Sequence, residues 1–286
     1  MRLAIGFQLY LMIKRGYMKQ AINTLSINLK SGTFGLALGG GAVLGAAHIG
    51  VLRALEEIDA RPDYISGTSI GAMVAALYAF GISVDRIEQI AKNMSWLTIT
   101  SLSISRYGLF SNDELGRIIR SEIGETEIQE ADIPLAIIAS DIAKGKKVTF
   151  TKGPLDLAVQ ASTCIPGIFI PVEYDDQILV DGGITENVPV SVLQKFQASP
   201  IVGVDLSAHR SYERPDDIID VLINAIDLAI DRPTPAHQQV DSWITPHLAS
   251  YDRTDTERVS DIIEVGYTTT KKWFAREEIP HESIGN

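Results

Sequence analysis

Three places in this sequence combine residue types that could carry out acyl transfer. Ser69 stands in Gly67-Thr68-Ser69-Ile70-Gly71, after an apolar run and before a stretch of small residues. A serine hydroxyl becomes a useful nucleophile when a sharp strand-to-helix turn holds it clear of its neighbours. Glycines two residues to either side leave room for that turn. Upstream, Gly39-Gly40-Gly41 lies where a predicted strand meets a predicted helix. Glycines there allow close backbone approach and leave amide N–H groups to meet a negative charge, as an oxyanion hole requires. Downstream, Asp181-Gly182-Gly183 ends another apolar run, and its glycines turn the chain so that the carboxylate stands at the rim of a sheet. A carboxylate within hydrogen-bond reach of a hydroxyl can act as its general base. The tripeptide alone reads equally as an ordinary turn.

The elements that must position these groups follow from periodicity. A strand over 34–38 runs into the glycines, and a helix over 42–58 follows with Val51, Leu52 and Leu55 on its buried side and Arg53, Glu56 and Glu57 outside. After the serine, a helix over 70–80 is closed by Gly81, and its Gly71, Ala72, Ala75, Ala76 and Ala79 suit close packing on a sheet. Further helices are predicted over 85–94 and from a capping Asn112-Asp113-Glu114 to about residue 120, while 95–110, through Trp96 and Tyr107, stays unassigned. Continuous apolar strands are expected over 135–139, 148–151 and 201–204, with a hairpin of 169–174 and 177–180 around Asp175-Asp176. A polar stretch then precedes an apolar helix over 218–230, Pro233 and Pro235, a late strand over 243–245 and an amphipathic helix over 259–274. The alternation predicts an α/β fold with a mostly parallel central sheet, helices on both faces and a helical C-terminal addition. The expected organisation is an N-terminal extension over 1–32, a core over 33–206 and a mostly helical segment over 207–286 packed on it.

Composition narrows the chemistry. The chain has 286 residues, 45% of them hydrophobic, enough to bury a sizeable core. Its net charge of −11 argues against a nucleic-acid partner and gives no general pull toward an anionic membrane. The single Cys164 excludes an internal disulfide and agrees with a reducing compartment, so the expected location is cytoplasmic, with peripheral membrane contact as a variant. One cysteine and five histidines without HExxH spacing offer no evident metal site, and no cofactor is expected. Residues 3–13 are mostly apolar and precede Lys14 and Arg15, a run shorter than the about 20 residues a spanning helix needs. They read as a loose extension, or as residues upstream of a true start at Met18. The rival is an interfacial anchor inserting Phe7, Leu9, Tyr10 and Leu11. A dinucleotide fingerprint between Gly40 and Gly45 fails, because Ala42 holds the middle glycine's place and no ribose-binding acid ends the next strand.

Taken together the motifs resemble the bacterial patatin-like phospholipase family. The matching segments are Leu38-Gly39-Gly40-Gly41, the helix from Gly45 through His48 to Leu52, the Ser69 turn, Ile165-Pro166-Gly167 with Pro171-Val172, Asp181-Gly182-Gly183 and Asn187-Val188-Pro189. They stand in the family's order over residues 34–206. The resemblance implies a three-layer α/β/α fold and hydrolysis of lipid acyl esters by a Ser–Asp dyad without a catalytic histidine. Ser69 would be the nucleophile, Asp181 the base, and the amides around Gly39, Gly40 and Gly41 the oxyanion hole. Gly45, Gly67, Gly71, Gly182 and Gly183 complete the motif glycines. A lipid ester is the implied substrate, reached by transient contact with a membrane surface; oligomeric state is not legible. One departure stands out. Leu44 occupies the place before Gly45 where the family usually carries Arg or Lys, leaving backbone amides and the helix dipole as the electrostatic contribution.

Other residues take blander expectations. His48 is expected as a packed helix residue, Asp141 and Asp205 as loop caps, Cys164 as a small buried residue and Asn187 as a helix N-cap with Pro189 in the first turn. Two alternatives stay open: a Ser-Asp-His esterase drawing on His209, His237 or His247, and a non-catalytic regulator on the same scaffold.

Overall fold

The computed structural model of the protein describes residues 34–94, 101–102, 107–209, 212, 214–216, 218–230 and 240–278. The N-terminal extension, Trp96, Pro233, Pro235 and His237 lie outside them.

Strand β1 (Gly35–Leu38) is buried along its whole length. A 3-10 turn over Ala42–Gly45 follows it and leads into α1 (Ala46–Glu56), so the helix expected over 42–58 starts one tight turn late. Strand β2 (Tyr64–Thr68) delivers Ser69 to α2 (Ile70–Ala79), and α3 (Val84–Asn93) comes next, capped by the Ser83 hydroxyl. A short β3 (Ser101–Leu102) pairs with β4 (Phe110–Ser111) ahead of α4 (Asp113–Ile123). Strands β5 (Leu135–Asp141) and β6 (Lys146–Phe150) precede α5 (Leu155–Ser162). The hairpin is β7 (Val172–Tyr174) with β8 (Gln177–Asp181), and short helices α6 (Gly183–Glu186) and α7 (Val190–Lys195) follow. The chain continues through β9 (Ile201–Val204), α8 (Ile218–Ile230), β10 (Ser242–Ile244) and α9 (Val259–Glu278). The expected strand over 169–174 begins only at Val172, because Ile168 and Phe169 turn inward to pack on Cys164.

The eight-stranded sheet is parallel through β10, β9, β1, β2 and β5, and antiparallel where β6, β8 and β7 join. One edge of β5 carries β6. The other edge is shared: β2 pairs as far as Thr68 opposite Ile138, and β8, arriving from the opposite direction, ends with Asp181 opposite Ala139. Two strands thus run toward each other along one edge and stop one residue apart in register. That head-on meeting brings residues 69 and 181 together.

Alternation within the strands sorts the layers. Leu36 and Leu38 of β1 join the large core with Leu52, Leu55, Met73, Leu77 and Ile262, while Ala37 faces Val188, Val190 and Leu193. Helices α1, α2 and α9 cover the first face, and α6 and α7 the second. Close contact of α1 with α9 depends on Gly50 and Gly266, since a Cβ on either would lie 2.0 Å from a backbone oxygen of the partner helix. The C-terminal segment does more than add helices, because β10 extends the sheet beside β9. Among the described residues no helix is long and apolar enough to cross a membrane, and no cluster of His, Cys, Asp and Glu could hold a metal ion.

Candidate active site

Ser69 leaves β2 at φ 55° and ψ −129°, in the left-handed half of the map that side chains other than glycine's rarely enter. Such a residue persists only where its surroundings over-determine it. Its N–H donates to Ser162 Oγ at 2.8 Å, and that hydroxyl donates to the Ile138 carbonyl at 2.6 Å, tying the turn to β5. Helix α2 then lies directly on the strands because two side chains are missing. A Cβ on Gly67 would stand 2.4 Å from the Gly71 carbonyl oxygen, and one on Gly71 2.3 Å from that of Leu38. Ser69 itself is 8% exposed.

Asp181 ends β8 and is held at both its backbone and its side chain. Its N–H donates to the Cys164 carbonyl at 2.7 Å, and its Oδ1 accepts the Gly183 N–H at 2.7 Å. The Ser69 side chain lines one cavity with this carboxylate and favours its charged form. Burial pushes the Asp181 carboxyl up to about 6, against the pull of the Ser69 and Gly183 hydrogen bonds, and the charge of Asp227 pushes in the same direction as burial. A carboxylate titrating there is ionised at neutral pH yet far more basic than an exposed one, the compromise a general base needs.

The glycine loop is fastened from three sides. The Gly39 amide donates to Val204 O at 3.1 Å, and its carbonyl accepts His48 Nε2–H at 2.7 Å. The Gly40 amide is shared between the carbonyl and Oδ1 of Asn187, at 3.3 and 3.1 Å, and a Cβ on Gly40 would lie 3.1 Å from Ser69 Cβ. The Gly41 amide has no acceptor assigned among the described residues. His48 is a packed helix residue as expected, and burial lowers its pKa to about 4, so it is neutral. Asn187 departs from expectation: it clamps Gly40 instead of capping α7, and Glu186 Oε1 takes the cap by accepting Ser191 N–H at 2.8 Å. Pro189 is the residue before α7, where a side-chain cap is not available. Asp141 closes its loop by accepting the N–H groups of Ala143 and Lys144, and Asp205 does the same for Ser207. Cys164 is fully buried beneath Asp181.

Ser69 opens onto two cavities. One, of about 110 Å³, is almost wholly apolar and runs past Met73, Leu77, Ile87, Ile90 and Leu115. The other, of about 60 Å³, brings Ser69, Asp181, Gly40, Gly41 and Asn187 under Ile223, Ile226 and Ile230 of α8. Beyond the glycine loop a third, polar cavity of about 360 Å³ is bordered by Arg214, Asp216, Asn224, Asp227 and Arg253. Leu44 contributes no charge to any of this; it is 5% exposed and belongs to the core. The rings of His209 and His247 stack on each other at 4.8 Å and border neither cavity that Ser69 lines. Reasoning from sequence missed Ser162, Asp227 and Arg253. No local pattern marks any of them; Ser162 acts across 93 positions, and the other two reach the site from the C-terminal segment.

Comparison with known proteins bears on the family and the fold. The family model described as patatin-like phospholipase matches residues 36–193. An NTE family protein of Mycobacterium tuberculosis is 37% identical over 175 residues, which is 60% of this chain and 48% of that protein. Neuropathy target esterase sws of Drosophila melanogaster is 30% identical over 188 residues, 63% of this chain and 13% of the fly protein. The chain therefore spans about half the length of the mycobacterial relative and far less of the fly one. Among solved structures, VipD from Legionella pneumophila superposes with a TM-score of 0.60 at 14% identity, over 86% of this chain and 67% of that one, a likeness of fold.

Proposed function

The chain belongs to the patatin-like phospholipase family, and we propose that it is a serine hydrolase of lipid acyl esters. The observation that carries the reading is the meeting of Ser69 and Asp181 in one cavity where β2 and β8 end, beside an apolar cavity and a glycine loop. In this reading Ser69 Oγ attacks the ester carbon while its proton passes to Asp181. The oxyanion forms against the Gly41 amide and the N-terminal turn of α2, with Gly40 beside it and Gly39 anchoring the loop to β9. Collapse breaks the ester bond, and the departing alkoxide takes the proton from Asp181. Water then enters and gives a proton to Asp181 as its oxygen attacks the acyl carbon; the bond to Ser69 Oγ breaks, Asp181 returns the proton to that oxygen, and the fatty acid leaves.

The acyl chain fits the apolar cavity, whose lining offers methyl and methylene groups and almost no polar atoms. The names of the relatives, neuropathy target esterase and lysophospholipase among them, support a lipid ester as substrate. Helix α8 supports transient contact with a lipid surface. Its Ile223, Ile226 and Ile230 line the cavity, while Ile218, Val221 and Leu228 are 65%, 46% and 60% exposed on its outside. With a net charge of −11, that surface would be neutral or zwitterionic, and a cytoplasmic protein with peripheral contact is the location we favour.

A fluorophosphonate probe and short-chain p-nitrophenyl esters test the reading. Wild type should be labelled at Ser69 and turn the esters over, and folded Ser69→Ala should do neither. Absence of both in folded wild type would reject the enzyme in favour of a non-catalytic scaffold. A loss of several orders of magnitude in His209→Ala, His237→Ala or His247→Ala would replace the dyad by a triad.

A further inference from the structure

Arg253 holds a singular place among the described residues: it alone borders the apolar cavity, the dyad cavity and the polar cavity. Its carbonyl accepts the Val43 N–H at 3.1 Å, which fastens its loop directly to the glycine loop. Its guanidinium, 18% exposed, donates to Asp227 Oδ1 at 2.6 Å, and Asp227 is itself 6% exposed on the inner side of α8. Asp227 lines the same cavity as Ser69 and Asp181. A second buried carboxylate beside a general base would hinder its ionisation unless a cation balanced it. The glycine loop offers no such cation, since residues 39–45 carry no charged side chain and Leu44 is turned into the core.

We propose that Arg253 is a positioning residue for the dyad: the C-terminal segment supplies a cation that the glycine loop lacks, and through Asp227 it sets the local charge under which Asp181 takes the serine proton. Among the described residues, the groups facing Asp181 come from separate elements. They are the Ser69 hydroxyl, the Cys164 thiol beneath it, the Gly183 amide and Asp227. Glu186, the nearby acid on α6, is already taken up by Lys147 and Ser191. The ion pair with Arg253 offsets part of the Asp227 charge. Without Arg253 more of that charge acts on Asp181 through a mostly apolar cavity, where charges are less screened than in water.

The inference rests on the hydrolase reading, and its test is the pH dependence of kcat/KM for a soluble short-chain ester, in the full chain. The acid limb reports ionisation of the base in the free enzyme. Arg253→Met should move that limb to higher pH by about half a unit to one unit, and Asp227→Asn should move it to lower pH by a similar amount. Arg253→Met combined with Asp227→Asn should return it close to wild type, and Arg253→Lys should leave it there. A part that merely supports the fold would lower activity alike at every pH, and unmoved limbs in Arg253→Met and Asp227→Asn would overturn the proposal. Should Arg253→Met fail to fold, Asp227→Asn decides alone: a downward shift upholds the proposal and an unmoved limb ends it. A wild type that neither hydrolyses ester nor labels at Ser69 would overturn both readings, whereas an active wild type with unmoved limbs would overturn this one only.

Discussion

Ser69 and Asp181 stand one step apart along the edge of β5, yet the protein places them by different means. The serine is set by steric exclusion close at hand. Glycines within two residues of it admit α2 against β1 and β2, and the strained turn follows from that packing. The aspartate is set by distant parts: an antiparallel strand, the Cys164 carbonyl and the charges of Asp227 and Arg253. One half of the site is a backbone shape and the other an electrostatic environment. Errors in the first should therefore cost folding, and changes in the second should show as pH dependence.

The largest expected effect is on the electrostatic half. Asp181→Asn should cut turnover by about three orders of magnitude, the upper range for loss of a general base. The same change should make the protein more stable at pH 8. The Asp181 carboxyl is raised from 3.8 to about 6 in the folded state, so its stabilising effect is present in acid and is lost as pH rises through about 6. Above that pH the buried charge costs on the order of 3 kcal/mol, which Asn removes. Melting curves should show Asp181→Asn above wild type by several degrees at pH 8, with the gap closing near pH 4. A lower Tm at pH 8 would mean that this half, too, is held by shape.

Gly71→Ala should do the reverse. The new methyl would lie 2.3 Å from the Leu38 carbonyl oxygen and 2.6 Å from that of Gly39, both backbone atoms with little freedom to give. A loss on the order of 3 kcal/mol follows from such overpacking, read as a fall in the denaturant midpoint with activity lost alongside it. Asn187→Ala lies between the halves. It removes the side-chain half of the clamp on the Gly40 amide without touching either member of the pair, and about a tenfold fall in kcat/KM is expected, carried by kcat more than KM. Smallest is Ala91→Leu at the wall of the apolar cavity. It should move the preferred acyl chain a few carbons shorter, a severalfold change in the ratio of rates for long and short esters.

Much of the fold was legible because its elements follow local rules. The buried strands read as unbroken apolar runs, and α2 and α8 were placed to within a residue by their small-residue and apolar patterns. The first helix was read too long because a 3-10 turn and an α-helix leave the same apolar spacing over one turn. Asn187 was misread for a related reason. A polar residue before a proline and a short helix looks like a cap, and only the approach of Gly40 from 147 residues away gives its side chain another partner. The hairpin at 172–181 was visible, but not the strand it would join.

By itself the sequence determined where the serine turn falls, since Gly67 makes room for the Gly71 carbonyl only four residues on. It also determined that a carboxylate would close an apolar strand before two glycines. That this carboxylate meets the serine was decided only in the tertiary structure, where β2 and β8 run toward each other along one edge of β5. The cation beside the site was decided there as well: the glycine loop carries none, and Arg253 lines the cavity from 209 positions beyond Leu44. Local periodicity carries no record of which distant segment a strand edge or a buried charge will accept. Pairing and burial are settled by the packing of the whole chain.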